Sequence, residues 1–189
     1  MACGRYSRGV ITRGPLLVLI GPPGVGKSTV GAMVARRLGV DFHDFDDDMQ
    51  QAHGIGAGEL VVDLGRERFQ LAERDLLARM LPNRSGVLAL GGGTPTSPGV
   101  AAMLADLHVV FLDADLEHLL ARDGITSQHP WLMPEPRVRL EQLLTDRRPI
   151  YVSLAKAVVS TSGRRLDDIV GDVLTTMPAP MTRSADVSP

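Results

Sequence analysis

The sequence predicts an α/β domain built on a parallel sheet, and three observations carry that prediction. Short apolar, partly β-branched runs recur at Leu16–Ile20, Val87–Leu90, His108–Leu112 and Ala157–Ser160, each as long as a buried strand. Segments with apolar residues at helical spacing stand between them, the alternation that lays helices over a parallel sheet. The first run passes directly into GPPGVGKST at Gly21–Thr29, which fits GxxxxGK[ST] with Gly21, Gly26, Lys27 and Ser28 at the defining positions.

That glycine-rich stretch organises the rest. Val30, Met33, Val34 and Leu38 continue it as a helix, and Gly39 follows as a stop. A loop between strand and helix turns successive backbone N–H groups toward one anion, and glycines let the main chain approach without a Cβ in the way. Gly21, Gly24, Gly26, Lys27, Ser28 and Thr29 are therefore candidate nucleotide-phosphate contacts, with Lys27 reaching the β and γ phosphates and the Ser28 hydroxyl ligating Mg²⁺. The competing reading is a glycine turn before an ordinary helix.

Val40–Asp44 reads as a second strand that ends in Asp44-Phe45-Asp46-Asp47-Asp48. Asp47 and Asp48 suit a solvated helix start. Asp44 and Asp46 alternate at a strand end, where an open parallel sheet gives onto its ligand crevice; such a pair holds Mg²⁺ through water and accepts a proton from an attacking hydroxyl. Gly54, Gly56 and Gly58 then break the chain before a helix expected from about Glu59 to Met80, with Phe69, Leu76, Leu77 and Met80 as its apolar stripe. Arg66, Glu67, Arg68 and Glu73 read as its solvated face, in which a substrate-binding arginine can hide.

The third strand ends in Gly91-Gly92-Gly93, either a flexible turn or a place where substrate lies against backbone N–H groups. Ser97 is expected to cap the next helix with Pro98 at its first position, and Val100, Met103, Leu104 and Leu107 are its buried face. Leu116, Leu119 and Leu120 mark a short helix after the fourth strand. From about residue 123 to 136 the pattern lapses into Gly, Ser, Thr and Pro, as expected of a lid or loop, with Trp131 placed either to close over a ligand or to pack. Leu140, Leu143 and Leu144 restore a helix expected to end near Asp146-Arg147-Arg148-Pro149. After the last strand, Leu166, Ile169, Val170, Val173 and Leu174 give a final amphipathic helix.

At 189 residues the chain holds one domain, expected over residues 15–176, between tails at 1–14 and 177–189 expected to be mobile and disordered. A net charge of −2 argues against a nucleic-acid binder held by bulk charge. The only cysteine, Cys3, offers neither a disulfide nor a thiolate metal site and fits a reducing cytoplasm, and no apolar run is long enough to span a bilayer. A monomer acting on small molecules is expected.

Taken in order, these motifs resemble the shikimate kinases, members of the nucleoside-monophosphate-kinase-like P-loop family. The resemblance runs from about Leu16 to Leu174 and rests on GPPGVGKST, Asp44 with Asp46, Gly65 with Phe69 and Glu73, LGGG at Leu90–Gly93, Arg122, and RRPIY at Arg147–Tyr151. It implies a five-stranded parallel sheet of order 2-3-1-4-5 with helices on both faces and a lid, and transfer of the ATP γ-phosphoryl group to the 3-hydroxyl of shikimate. Carried over, Lys27, Ser28 and Asp44 match the family's Mg²⁺ and phosphate contacts, and Asp46 the aspartate at the accepting hydroxyl. Gly91, Gly92 and Gly93 match the glycines lining the substrate site, Arg122 an arginine packing on adenine, and Arg147 an arginine binding the substrate carboxylate.

Two positions depart from the pattern. The family's arginine after the phenylalanine of GExxFR is Gln70 here, and the lid arginine of RPL is His129. A charged, forked carboxylate ligand is thus replaced by a neutral amide, at a cost on the order of 1.5–3 kcal/mol in acceptor binding. His129 supplies positive charge only when protonated. Arg66, Arg68 and Arg148 are the candidates to compensate. Three functions follow: shikimate phosphorylation, phosphorylation of another polyol or cyclitol by the same fold, and nucleotide binding without catalysis.

Overall fold

The computed structural model describes residues 14–178. Apart from Gly14, Met177 and Pro178, the two expected tails lie outside the described residues, and Met177 packs against the core. Five parallel strands, β1 (Leu17–Ile20), β2 (Phe42–Asp44), β3 (Val87–Ala89), β4 (Val109–Asp113) and β5 (Ala157–Ser160), form one sheet in the order β2-β3-β1-β4-β5. β1 is central, with Leu19 in register with Ala89 on one side and Val110 on the other.

The helices are α1 (Lys27–Leu38), α2 (Phe45–His53), α3 (Ala57–Leu64), α4 (Arg66–Met80), α5 (Val100–Leu104), α6 (Leu116–Leu120), α7 (Ile125–Gln128), α8 (Pro136–Leu154) and α9 (Leu166–Thr176). They cover both faces of the sheet. Leu17 and Leu19 cluster with Val30 and Val34 of α1, Leu140 of α8 and Val170 of α9. Val18 and Ile20 cluster with Phe45 of α2, Leu77 of α4 and Val100 of α5. Strand residues alternate between the faces, so an all-apolar run is what a sheet covered on both sides requires. Gly39 ends α1 at φ 69°, its N–H closing on the carbonyls of Ala35 and Arg36.

Four expected boundaries move, each for a physical reason. The helix expected over 59–80 is two helices, because Gly65 at φ 73°, ψ 159° turns the chain between them. Ser97 does not cap a helix at Pro98: its hydroxyl is committed to Glu73, and α5 starts two residues later behind Gly99 at φ 84°. The helix expected to end near Pro149 runs through it to Leu154. Proline inside a helix costs about 3 kcal/mol, and the burial of Leu140, Leu144 and Tyr151 on either side of it offsets that. Finally, Asp46 lies in the first turn of α2 rather than on a strand, since Asp44 ends β2 and caps the helix by accepting from the Asp46 N–H at 3.1 Å.

Candidate active site

Gly21–Thr29, Asp44 with Asp46, and Gly91–Gly93 follow the C-terminal ends of β1, β2 and β3, where an open parallel sheet has its crevice, while Gln70, Arg122, His129 and Arg147 belong to the helices and the segment beside it. After β1 the glycine loop folds back on itself. Lys27 Nζ donates to the carbonyls of Gly21 and Pro22 at 3.0 and 3.1 Å, which holds the ammonium inside the turn of the glycine loop. Burial lowers its pKa to about 8, against the opposing pull of the Asp46 and Asp44 carboxylates. The Ser28 hydroxyl donates to Asp44 Oδ2 at 2.5 Å, which brings the end of β2 to the start of α1. Thr29 lies on the exposed side of the same turn.

Asp46 stands across the cleft from Lys27. A Cβ built on Gly91 would lie 2.4 Å from Asp46 Oδ1, so the carboxyl occupies the space that only glycine leaves. The cleft walls desolvate it and raise its pKa, while the Lys27 ammonium pulls the other way. Gly91→Ala is therefore expected to push the Asp46 carboxyl off its position and lower kcat on the order of 10²-fold, the effect of an ångström-scale misplacement. Kinetics beside an unchanged circular dichroism spectrum would check it.

The rest of the Gly91–Gly93 turn is held from two sides. Arg147 Nη1 and the Tyr151 hydroxyl both donate to the Gly92 carbonyl, at 3.0 and 2.6 Å. They stand four residues apart on α8, which is why that helix has to continue past Pro149. Beneath the turn, Glu73 is 3% exposed and accepts from Thr94 Oγ1 at 2.6 Å and Ser97 Oγ at 2.9 Å. Burial raises its pKa, and the two hydroxyls oppose the rise. Glu73 is thus no part of a solvated face. In the sequence only its place in the motif with Gly65 and Phe69 set it apart from the charged residues around it. Tyr151 closed the RRPIY motif, but nothing in the sequence gave it a role.

Arg122 lies over the glycine loop, its guanidinium nitrogens 3.4 Å from where a Cβ on Gly26 would sit. Together with Val25, Val30, Thr161 and Leu166 it lines a cleft of about 130 Å³. Thr161 and Arg164 enter this wall from the loop after β5, and nothing in their local sequence marks them. The 123–136 segment is ordered around α7 and a 3₁₀ turn at Pro130–Leu132, anchored by buried Ile125 and Leu132. Trp131 is 43% exposed and contacts the ring of His129 at 5.9 Å. Burial, and then the neighbouring Lys27 ammonium, hold the His129 imidazole below the usual histidine range.

The compensating candidates separate. Arg148 is committed to Asp113, with Nη2 at 2.7 Å from both carboxylate oxygens. Arg66 and Arg68 are exposed on the first turn of α4, and Gln70 is half-buried on the next with no hydrogen bond among the described residues. Asp47 is exposed as expected, whereas Asp48 is drawn into an ion pair with Arg84 at 2.7 Å.

Residues 23–178 match the model of a known family, whose description is shikimate kinase. The chain belongs to the shikimate kinase family. It is 41% identical over 155 residues to a shikimate kinase of Streptomyces coelicolor, covering 82% of this chain and 91% of that one. A shikimate kinase of Thermobifida fusca is 40% identical over 165 residues, 87% of this chain and 96% of the relative. Among solved structures, the shikimate kinase of Acinetobacter baumannii in complex with shikimate superposes with a TM-score of 0.81 at 29% identity, over 90% of this chain and 96% of that one. A gluconokinase of Sinorhizobium meliloti, at 19% identity and TM-score 0.57, shares the fold. As a family member the chain is a small-molecule kinase that uses ATP and phosphorylates an alcohol.

Proposed function

We propose that this shikimate kinase family member transfers the γ-phosphoryl group of ATP to the 3-hydroxyl of shikimate, giving shikimate 3-phosphate and ADP. The observation that carries the reading is the convergence of Lys27, Asp46, Gly91–Gly93 and Arg147 on one cleft at the strand ends. Gly21, Gly24, Gly26, Lys27, Ser28 and Thr29 hold the phosphates, and Lys27 neutralises charge as it moves from one oxygen to the next. Arg122 and the apolar wall of the adjoining cleft take the adenine. Asp46 orients the accepting hydroxyl and accepts its proton, while Gly91–Gly93 and Arg147 seat the acceptor, with Gln70 and His129 at its edge.

Ser28 and Asp44 fit Mg²⁺: they present hard oxygens, already in contact, on an anion-binding loop, and Mg²⁺ typically takes one or two protein oxygens and completes its shell with water and phosphate. When bound it supplies charge neutralisation at the phosphates. A net charge of −2 gives little bulk attraction for nucleic acid, and among the described residues no helix is long and apolar enough to cross a membrane.

A second reading rests on Gln70. A neutral amide suits an uncharged hydroxyl better than a carboxylate, so a neutral cyclitol is the competing acceptor. Coupled ADP release with Mg-ATP, comparing saturating shikimate with a neutral cyclitol, decides between them. Release with shikimate supports the first reading, release with the cyclitol alone moves the acceptor, and release with neither leaves nucleotide binding without catalysis. Gln70→Arg, restoring a guanidinium three residues before Glu73, is expected to lower KM for shikimate by up to about tenfold with kcat little changed, as steady-state kinetics would record.

A further inference from the structure

We infer that Arg66 determines acceptor specificity in this chain, reaching from the first turn of α4 to supply the second guanidinium that Gln70 does not. The inference rests on the proposed acidic acceptor. Such an acceptor meets an uneven field: Asp46 brings a carboxyl group to the cleft and Glu73 buries another beneath the Gly91–Gly93 turn, Lys27 is engaged with the glycine loop, and Arg147 is the one guanidinium fixed on that turn among the described residues. A carboxylate among these groups calls for another cation.

Helix geometry selects which one. At about 100° per residue, Arg66, Gln70 and Glu73 fall within about 60° of one another on a single stripe of α4. Glu73 fixes where that stripe faces, because its carboxyl is bonded to Thr94 and Ser97 in the turn that follows Gly93. Arg68 lies about 160° around the helix from Arg66 and faces away from the stripe. Arg148 is held by Asp113, and Arg74 by Asp75. Arg66 is exposed, and among the described residues it has neither an ion pair nor a hydrogen bond, so its guanidinium is free to swing over the cleft mouth. Its position also breaks a local rule. A cation at the first residue of a helix opposes the helix dipole, where an acid would be favoured, and such conflicts mark functional positions.

The test is steady-state kinetics and equilibrium shikimate binding on wild type, Arg66→Gln, Arg66→Lys and Arg68→Gln, with the uncharged methyl ester of shikimate as second acceptor. Expected is a rise of about tenfold or more in KM and Kd for shikimate in Arg66→Gln, with partial recovery in Arg66→Lys. KM for ATP, the kinetics of the ester and the Arg68→Gln variant should stay within about twofold of wild type. Wild-type turnover of shikimate with an unchanged KM in Arg66→Gln, or an equal loss in Arg68→Gln, overturns the role of Arg66 and leaves the proposed function standing. A wild-type protein that neither binds nor phosphorylates shikimate removes both.

Discussion

Lys27→Ala is expected to lower phosphoryl transfer by about a thousandfold or more while the protein stays folded. The ammonium is the one cation that the glycine loop itself carries to the phosphates, and removing a single preorganised charge from the transferring group typically costs that much. Stability should not suffer. In the folded protein the lysine pKa is lowered from 10.5 to about 8, which means that folding disfavours the charged form. The unfolded chain binds more protons between those values, so this group makes stability rise with pH through that window and weakens the fold below it. The alanine variant should therefore melt at or above the wild-type temperature at pH 7. A variant with kcat within tenfold of wild type would remove Lys27 from the site. In the wild type, the same lowered pKa puts an alkaline limb on kcat/KM for ATP near pH 8, since that ratio reports the free enzyme.

Asp46→Asn is expected to lower kcat by about 10²- to 10⁴-fold, the usual contribution of a positioned base, with KM for ATP little changed. Asparagine keeps the shape beside Gly91 and loses the ability to take a proton. The sign of the pH effect follows from the raised pKa. A base has to be deprotonated, so wild-type activity is present above the Asp46 pKa and lost as pH falls through it, and that acid limb lies above the range of an ordinary aspartate. The asparagine variant should lose the limb along with the rate. If instead the limb persists in Asp46→Asn, another group carries the proton, and Glu73, whose pKa is also raised, is the next to replace.

His129 and Gln70 give the site a different balance from the arginine-rich pattern that the motifs otherwise follow. His129 is held toward its neutral form by burial and by Lys27, and a phosphate beside it would oppose the second influence. In the proposed function acceptor selectivity then falls on Arg147, which already donates to Gly92, and on Arg66.

The glycine loop, the strands and their parallel arrangement, the apolar faces of α1 and α9, and the acidic stretch Asp44–Asp48 were legible because each is written in contiguous residues. Leu16–Ile20 followed by GPPGVGKST states a strand, a phosphate turn and a helix within about twenty positions. The strand order was available only through the family resemblance, since no local pattern says that β3 inserts between β2 and β1. What the tertiary structure alone decided is the surroundings of the acceptor. Ser97 reads locally as a helix cap and Glu73 as a surface charge, yet each satisfies the other in the interior across twenty-four positions of sequence. Pro149 reads as a stop, yet α8 passes through it because Tyr151 gains a buried seat against Phe111 and a bond to Gly92. That Arg148 is committed to Asp113, and so is withheld from the acceptor, was likewise decided by packing. Local propensities are worth about a kilocalorie per mole for most residues, whereas burying a side chain or leaving a buried polar group unpaired is worth one to three; where the two compete, the contact distant in sequence prevails.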